Sequence, residues 1–161
     1  MASGDTILEF RPQDNEPPAS AYAQITLVNG HPVLAFDTTT AEAAIFSAIL
    51  PRNYAGGGLT CYVTHCADSA TTGTIGWTLE FETSSGQVLG TDGFASAQTI
   101  TAATVAGTIR TPTITNVAVS NGANMDSIAV GVSFRIRLKR DVANDTATGD
   151  ALFMILELKE T

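Results

Sequence analysis

The sequence predicts an all-β domain, and three observations support this assignment. Short runs rich in β-branched and aromatic residues recur along the chain, separated by clusters of Gly, Pro, Asn, Asp and Thr. Helical periodicity is almost absent. The alternation of strands with helices that builds a parallel sheet does not occur. We therefore expect a jelly-roll β-sandwich of about eight antiparallel strands with an extended N-terminal arm.

The strand predictions follow the chain in order. Residues 23–28 and 31–36 flank Asn29-Gly30, the strongest short-range hairpin signal, because both turn positions need a positive φ. Residues 133–140 alternate between apolar and mostly basic side chains, so one face of that strand is predicted to lie in the core. Further strands are predicted at 7–10, 43–50, 59–66, 75–81, 97–105, 112–119 and 151–159, and one helical turn at 124–130, ended by Gly131.

Length and composition fit one domain of ordinary size. The chain has 161 residues, of which 44% are hydrophobic and only 15% are charged. A charged fraction this low, against a usual value of about 25%, is typical of a subunit whose surface meets other subunits. We divide the chain into an N-terminal extended arm, residues 1–22, and a jelly-roll β-sandwich domain, residues 23–161.

Charge and hydropathy exclude two classes of partner. The net charge is −8 and the isoelectric point is near 4.5, so nucleic acid would be repelled. One basic patch, consisting of Arg135, Arg137, Lys139 and Arg140, is interpreted as the solvated face of a strand. No apolar run reaches the ~20 residues that span a bilayer, and the first residues lack the features of a signal peptide. We expect no nucleic-acid or membrane partner, and synthesis in a cytoplasm.

Catalytic and metal-binding motifs are missing from the sequence. With only His31 and His65, a three-histidine metal site is impossible. Cys61 and Cys66 have an odd spacing within one predicted strand, so they lie on opposite faces and are expected to be small buried hydrophobes rather than a disulfide. We expect no cofactor and no enzymatic activity.

Acidic residues leave two alternatives open. Glu80 and Glu82 share one strand face, about 7 Å apart, a spacing that suits a glycoside-hydrolase pair; the favoured interpretation is an exposed outer face. The loop at residues 141–150 is rich in oxygen ligands of the kind that bind calcium. A plain turn is the favoured interpretation there.

The N-terminal arm is the predicted partner-binding region. Prolines preset its φ angles, which lowers the entropy lost when it becomes ordered on a partner. An apolar cluster precedes them, and exposed apolar segments usually mark contacts. The partner-binding residues assigned on these grounds are Ile7, Leu8, Phe10, Pro17 and Pro18. An alternative remains open, in which the strand at 7–10 pairs within its own sandwich.

Several segments resemble a known group of proteins. They are 14–20 (DNEPPAS), 29–34 (NGHPVL), 50–59 (LPRNYAGGGL), 125–129 (MDSIA), 149–152 (GDAL) and 157–161 (ELKET). Together they resemble jelly-roll decoration, or cement, proteins of tailed bacteriophages, which sit as trimers on icosahedral capsids. The resemblance implies a homotrimer that binds the major capsid protein on the outer surface of the virion head and stabilises the shell, after assembly in the host cytoplasm.

The sequence leaves a second function open as an alternative. Jelly rolls also bind sugars through loops at one end of the sandwich, so the alternative is a receptor- or glycan-binding head or tail module of a phage. Trp77 and Tyr54 are the aromatic residues considered as its sugar contacts. The small number of aromatic residues, 7% of the chain, argues against this alternative.

Overall fold

The structure, a computed structural model, describes residues 4–161. Within that range the chain forms ten strands and two short 3-10 turns, with no α-helix. The elements in chain order are β1 (Thr6–Phe10), η1 (Pro12–Asp14), β2 (Gln24–Val28), β3 (His31–Phe36), β4 (Ala43–Ile49), β5 (Leu59–Ala67), β6 (Thr74–Thr83), β7 (Gln98–Thr104), β8 (Thr113–Val119), η2 (Ala123–Met125), β9 (Ser133–Arg140) and β10 (Ala151–Glu160).

The strands form two antiparallel sheets packed face to face. Sheet A has the order β2-β3-β10-β5-β8, and sheet B has the order β4-β9-β6-β7. Strand β1 also belongs to sheet A, because it pairs with the second half of β10 while β3 pairs with the first half. The predicted all-β jelly-roll sandwich is confirmed.

The core lies between the sheets and consists of alternate side chains from both. In β9, Phe134, Ile136 and Leu138 are at most 1% exposed, as their alternation with charged residues predicts. Trp77, on the neighbouring strand β6 of the same sheet, reaches across to sheet A, where its ring meets the edge of Phe36 with centroids 4.9 Å apart. Burying one such side chain stabilises the fold by about 1.5–3 kcal/mol. The apolar face of each strand thus fixes which way the sheets stack.

The hairpin between β2 and β3 forms as predicted. Val28 pairs with His31 across a two-residue loop. Asn29 has a φ of 48° and Gly30 a φ of 81°, the left-handed values of the turn type that matches strand twist. This hairpin places β2 at one edge of sheet A.

Strand β1 belongs to the sandwich, and a separate N-terminal arm is not confirmed. Strand β1 pairs with β10 from Thr6 to Phe10. Phe10 is only 4% exposed and stacks on Phe46 with ring centroids 5.3 Å apart. The structure therefore adopts the alternative in which this strand pairs within its own sheet.

The proline-rich segment after β1 lies along the outer edge of sheet B. The Glu16 amide donates to the Ile45 carbonyl at 2.7 Å, and the Ala23 amide donates to the Ala43 carbonyl at 3.0 Å. Between these contacts, Pro17 and Pro18 have no N–H group to donate. The segment thus covers the edge of β4 without offering a continuous new edge to another chain.

The helical turn predicted at 124–130 is shorter in the structure. Only Ala123–Met125 is helical, and it is of the 3-10 type. Asp126 and Ser127 have φ values of 51° and 52°, which end the turn well before Gly131. The two cysteines match their prediction, since Cys61 and Cys66 are both buried and free. Within residues 4–161 no helix is long and apolar enough to cross a membrane.

Candidate ligand-binding cleft

A cleft of ≈ 480 Å³ lies between the turn η1 and the edge strand β2. Its volume falls in the range of about 300–1,000 Å³ that small-molecule sites occupy. The lining residues combine one aromatic ring, three amide side chains and several apolar groups: Pro12, Gln13, Asn15, Pro17, Tyr22, Ala23, Gln24 and Ile25.

Tyr22 is the exposed aromatic residue of this cleft. Its backbone forms a parallel bridge with Ala43, because the Ala43 amide donates to Ala21 and the Ala23 amide donates back to Ala43. These bonds fix the main chain on both sides of Tyr22, while the residue remains 45% exposed. The aromatic ring is therefore presented from an ordered backbone position.

The three amides supply polar groups around the ring. The Asn15 side-chain oxygen accepts a hydrogen bond from the Ile45 amide at 3.0 Å, which orients the Asn15 side chain. Its NH₂ group has no protein partner in the described chain. Gln13 and Gln24 are exposed and make no side-chain hydrogen bond within residues 4–161. Each amide can both donate and accept, so the cleft offers unused hydrogen-bonding groups next to an aromatic face.

A second, polar groove of ≈ 360 Å³ lies on the opposite face of β2. Its walls include Thr26, the ion pair of Arg110 with Asp68 at 2.9 Å, and Asp150. Burial, followed by the negative charges of Asp37 and Asp68, raises the pKa of Asp150. Polar walls with one paired cation make this groove a poor match for an apolar ligand surface.

The acidic side chains near this groove accept hydrogen bonds within their own turn. Asp37 accepts hydrogen bonds from the hydroxyl and amide of Thr39 and from the amide of Thr40. These bonds, the Thr39 side chain first, lower the pKa of Asp37 to about 2. Burial is the main cause that raises the pKa of neighbouring Glu42. Among residues 4–161 no group of His, Cys, Asp or Glu side chains is placed to hold a metal ion.

Arg140 departs from the prediction that it belongs to a solvated basic patch. Its side chain is 0% exposed and forms a two-pronged ion pair with Asp145, at 2.7 and 3.1 Å. The same guanidinium donates to the carbonyls of Phe36, Ala147 and Gly149. Alternation along β9 continues through Arg140, which lies on the inner face with Phe134, Ile136 and Leu138 and reaches the 37–42 and 141–150 loops. The loop considered for calcium is therefore held by an arginine.

The other basic residues of β9 do lie on its outer face, and they cover the two candidate acids. Arg135 donates to Glu82 at 2.8 Å, and Arg137 donates to Glu80. The ring of Phe94 stacks over Arg137, with 4.1 Å from the guanidinium carbon to the ring centroid. Glu80 and Glu82 share a face as predicted, but they are 8% and 7% exposed rather than open. Neither carboxylate is free to act on a bound sugar in this arrangement.

The remaining sequence-predicted residues lie in several places. Trp77 and Tyr54 are 0% and 7% exposed, so neither can stack on a sugar, and both assignments are wrong. Ile7 and Leu8 are half-buried against the core, and Phe10 lies within it. Pro17 lines the cleft, and Pro18 is half-buried nearby.

Sequence reasoning did not select Tyr22, Gln13 or Asn15. The available signal was a tyrosine inside a long stretch without charged residues, since no Asp, Glu, Lys or Arg lies between Glu16 and Asp37. That signal does not show where the segment packs, and the cleft exists only because the segment returns along β4.

Comparison with known protein families and with curated proteins finds no match to this sequence. Comparison of the structure finds similar folds among carbohydrate-binding modules. A family 35 module from Clostridium thermocellum matches with a TM-score of 0.59 and 8% identity, over 96% of this chain and 98% of that chain. The CBM22-2 xylan-binding domain of Paenibacillus barcinonensis Xyn10C matches with a TM-score of 0.59 and 11% identity, over 96% and 99% of the two chains.

A third similar structure is a family 35 module solved in complex with a disaccharide that contains glucuronic acid. It matches with a TM-score of 0.52 and 12% identity, over 96% of this chain and 95% of that chain. At such identities the likeness concerns the fold alone. The chain therefore shares the jelly-roll sandwich of carbohydrate-binding modules over almost its whole length.

Proposed function

We propose that this protein is a carbohydrate-binding module and that its ligand binds in the cleft between η1 and β2. The observation that carries this proposal is the combination of Tyr22 with the amides of Gln13, Asn15 and Gln24. A sugar ring has an apolar C–H face and a rim of hydroxyl groups. An exposed aromatic ring matches the first, and unpaired amides match the second.

The fold supports the same proposal. The similar structures named above are all carbohydrate-binding modules, and the likeness extends over the full sandwich. The phage decoration role, with its homotrimer, capsid partner and virion location, remains a prediction that no observation on the described residues supports. Because both candidate acids are engaged by arginines, we propose binding without catalysis.

A glycan array followed by calorimetric titration with the best soluble oligosaccharide tests the proposal. We expect Tyr22→Ala to weaken binding at least about tenfold, the usual effect of removing an aromatic anchor. Its melting temperature should stay unchanged, because Tyr22 is exposed. Tyr62→Ala is the matched control, since Tyr62 lies on the outer face of sheet A, away from the cleft.

The amide variants refine the position of the site. Gln13→Ala and Gln24→Ala should each weaken binding by about two- to tenfold, because each removes about one hydrogen bond to a neutral group. Absence of any array signal, or equal loss of affinity in the Tyr22 and Tyr62 variants, would overturn the proposed cleft.

A further inference from the structure

Strand β2 has a free edge. It pairs with β3 on one side, and no strand within residues 4–161 pairs with its other side. Unpaired strand edges invite pairing with another chain, and most proteins protect them with charges, prolines or a covering segment. The edge of β4 has such a cover in the proline-rich segment. The sequence of β2, QITLV, carries no such protection.

The backbone groups that point outward from β2 follow from the hairpin. A two-residue loop is flanked by a hydrogen-bonded pair, here Val28 with His31. Hydrogen-bonded pairs then alternate, so Thr26 bonds to β3, while the N–H and C=O groups of Ile25 and Leu27 face away from it. The position of Pro32 agrees with this pattern, because it lies opposite Leu27, where no N–H group is required.

The side chains at the same edge are apolar and exposed. Ile25 is 58% exposed and Leu27 is 70% exposed, and the alternation of the strand places both on one face. The region is also uncharged, since the chain from residue 17 to residue 36 has no Asp, Glu, Lys or Arg. In a protein of net charge −8, such a surface is where a second copy can approach with the least repulsion.

We propose that two copies of this chain associate through β2, antiparallel about a two-fold axis at Thr26. In this register Ile25 lies opposite Leu27 of the partner subunit, and the two exchange both backbone hydrogen bonds. The outward N–H and C=O groups of β2 are satisfied, and the exposed apolar side chains of both copies meet on one face. The pairing is self-complementary, as a two-fold interface requires.

The proposal makes the partner a second copy rather than an unrelated peptide. Identical strands in antiparallel pairing close as a dimer, so this edge does not build the homotrimer expected from sequence. One strand pair buries less than the ~1,200 Å² of a standard interface, so we expect a weak dimer, with a dissociation constant of about 1 μM or higher. Because the two copies carry like charges, salt should tighten the association by screening their repulsion.

Sedimentation velocity over a wide concentration range provides the first test. We expect a monomer–dimer equilibrium that shifts toward dimer when salt is raised from about 0.05 M to about 0.5 M. Leu27→Lys should raise the dimer dissociation constant at least about tenfold, because it places a charge in the pairing edge. Ile114→Lys is the matched control, because Ile114 is 65% exposed on β8, at the far edge of sheet A, and should leave the equilibrium unchanged.

A cysteine at the axis tests the register. In the proposed dimer, the two Thr26 residues form a non-hydrogen-bonded pair with Cα atoms about 4.5 Å apart, within disulfide reach. Thr26→Cys should therefore form a disulfide-linked dimer under mild oxidation. Gln24→Cys is the control, because the two Gln24 positions would lie about 13 Å apart along the strand. Cys61 and Cys66 are buried and should not react.

The proposal is overturned by a monomer up to about 1 mM protein, by equal effects of the Leu27 and Ile114 variants, or by equal cross-linking at positions 24 and 26. Ile25 lines the proposed sugar cleft as well as the dimer edge, so the two proposals are separated by residues that belong to only one of them. Tyr22→Ala should leave the dimer intact. Leu27→Lys should in turn leave the affinity for a soluble monovalent sugar intact. Tight capture of a different chain by β2 in place of self-pairing would also overturn the proposal.

Discussion

Arg137 and Arg140 lie three residues apart on the same strand, yet they stabilise the sandwich in different ways. Arg137 is on the outer face of sheet B, with its side chain 30% exposed, and it pairs with Glu80 beneath the ring of Phe94. Arg140 points inward and is completely buried against Asp145. Water therefore still reaches the guanidinium of Arg137, whereas the guanidinium of Arg140 depends on protein groups for every hydrogen bond.

The difference in burial implies a difference in cost when a partner is removed. A partly exposed ion pair contributes little, about 0–1 kcal/mol, because water replaces a lost partner. A buried pair contributes little net stability when complete, but removing one member costs about 3–5 kcal/mol, because the remaining charge is buried alone. Arg140 also donates to three backbone carbonyls, which would lose this donor at the same time.

The largest predicted effect is therefore that of Arg140→Met. We expect a loss of about 3–5 kcal/mol in the free energy of unfolding, measured by urea denaturation. Arg137→Met is the matched variant on the same strand, and we expect it to lose about 1 kcal/mol or less, since Lys139 still lies 3.7 Å from Glu80. Equal losses in the two variants would show that burial does not separate the two arginines.

The second prediction concerns a histidine beside the Arg140 centre. His65 is 1% exposed and packs against Trp77 with ring centroids 5.4 Å apart. Burial lowers the pKa of His65 to about 4, and Arg140 adds to this effect while Asp145 opposes it. In the unfolded chain the pKa of this histidine is near 6.5, so between pH 4 and pH 6.5 the unfolded chain binds the proton more readily than the folded protein. Stability is therefore complete above pH 6.5 and falls as the pH is lowered toward 4.

The size of this effect follows from the shift in pKa. A difference of roughly 2.5 pH units corresponds to a loss of about 3 kcal/mol between pH 6.5 and pH 4. Urea denaturation at successive pH values measures it. His65→Gln should flatten this part of the pH profile, whatever its effect at neutral pH. His31→Gln should leave the profile unchanged, because His31 is exposed on the hairpin. A profile that keeps its slope in the His65 variant would assign the pH dependence to other groups.

Local patterns in the sequence were sufficient to predict most of the fold. The hairpin at Asn29-Gly30 depends on two turn residues, and the faces of β9 depend on strict alternation, so both are readable within a short window. The same alternation places Arg140 on the inner face, and only its charge favoured the solvated patch. Its partners were not readable, because the carbonyl of Phe36 lies about a hundred residues earlier and only the folded chain brings it beside Arg140 and Asp145.

The candidate cleft was beyond prediction for a related reason. The residues of the N-terminal segment were recognised as proline-rich and apolar, but nothing local shows that Phe10 stacks on Phe46 or that Glu16 bonds to Ile45. These long-range contacts turn the predicted arm into one wall of the cleft. Tyr22 is exposed in this cleft, whereas Trp77, a stronger candidate by residue type, is fully buried.

The smallest predicted effect returns to the outer face and to the ring that covers it. Phe94 lies over Arg137 and, at 5.3 Å, over Arg135, while the next residue, Ala95, donates a backbone hydrogen bond to Phe81. A cation above an aromatic face at a partly exposed site stabilises by about 0.5–1 kcal/mol. Phe94→Leu keeps an apolar cover but removes this attraction, so it should lose about that amount in urea denaturation.

The same variant shows whether the ring matters through its charge distribution or only through its bulk. Phe94→Ala removes both and should lose more than Phe94→Leu. If the leucine variant matches the wild-type protein, the ring contributes only by covering Glu80 and Glu82, and the cation–π contact adds nothing measurable. Repeating the urea denaturation at high salt separates the outer-face pairs from the buried Arg140 pair. The Arg135 and Arg137 pairs are partly exposed, so screening should weaken them, whereas the loss in Arg140→Met should hardly change.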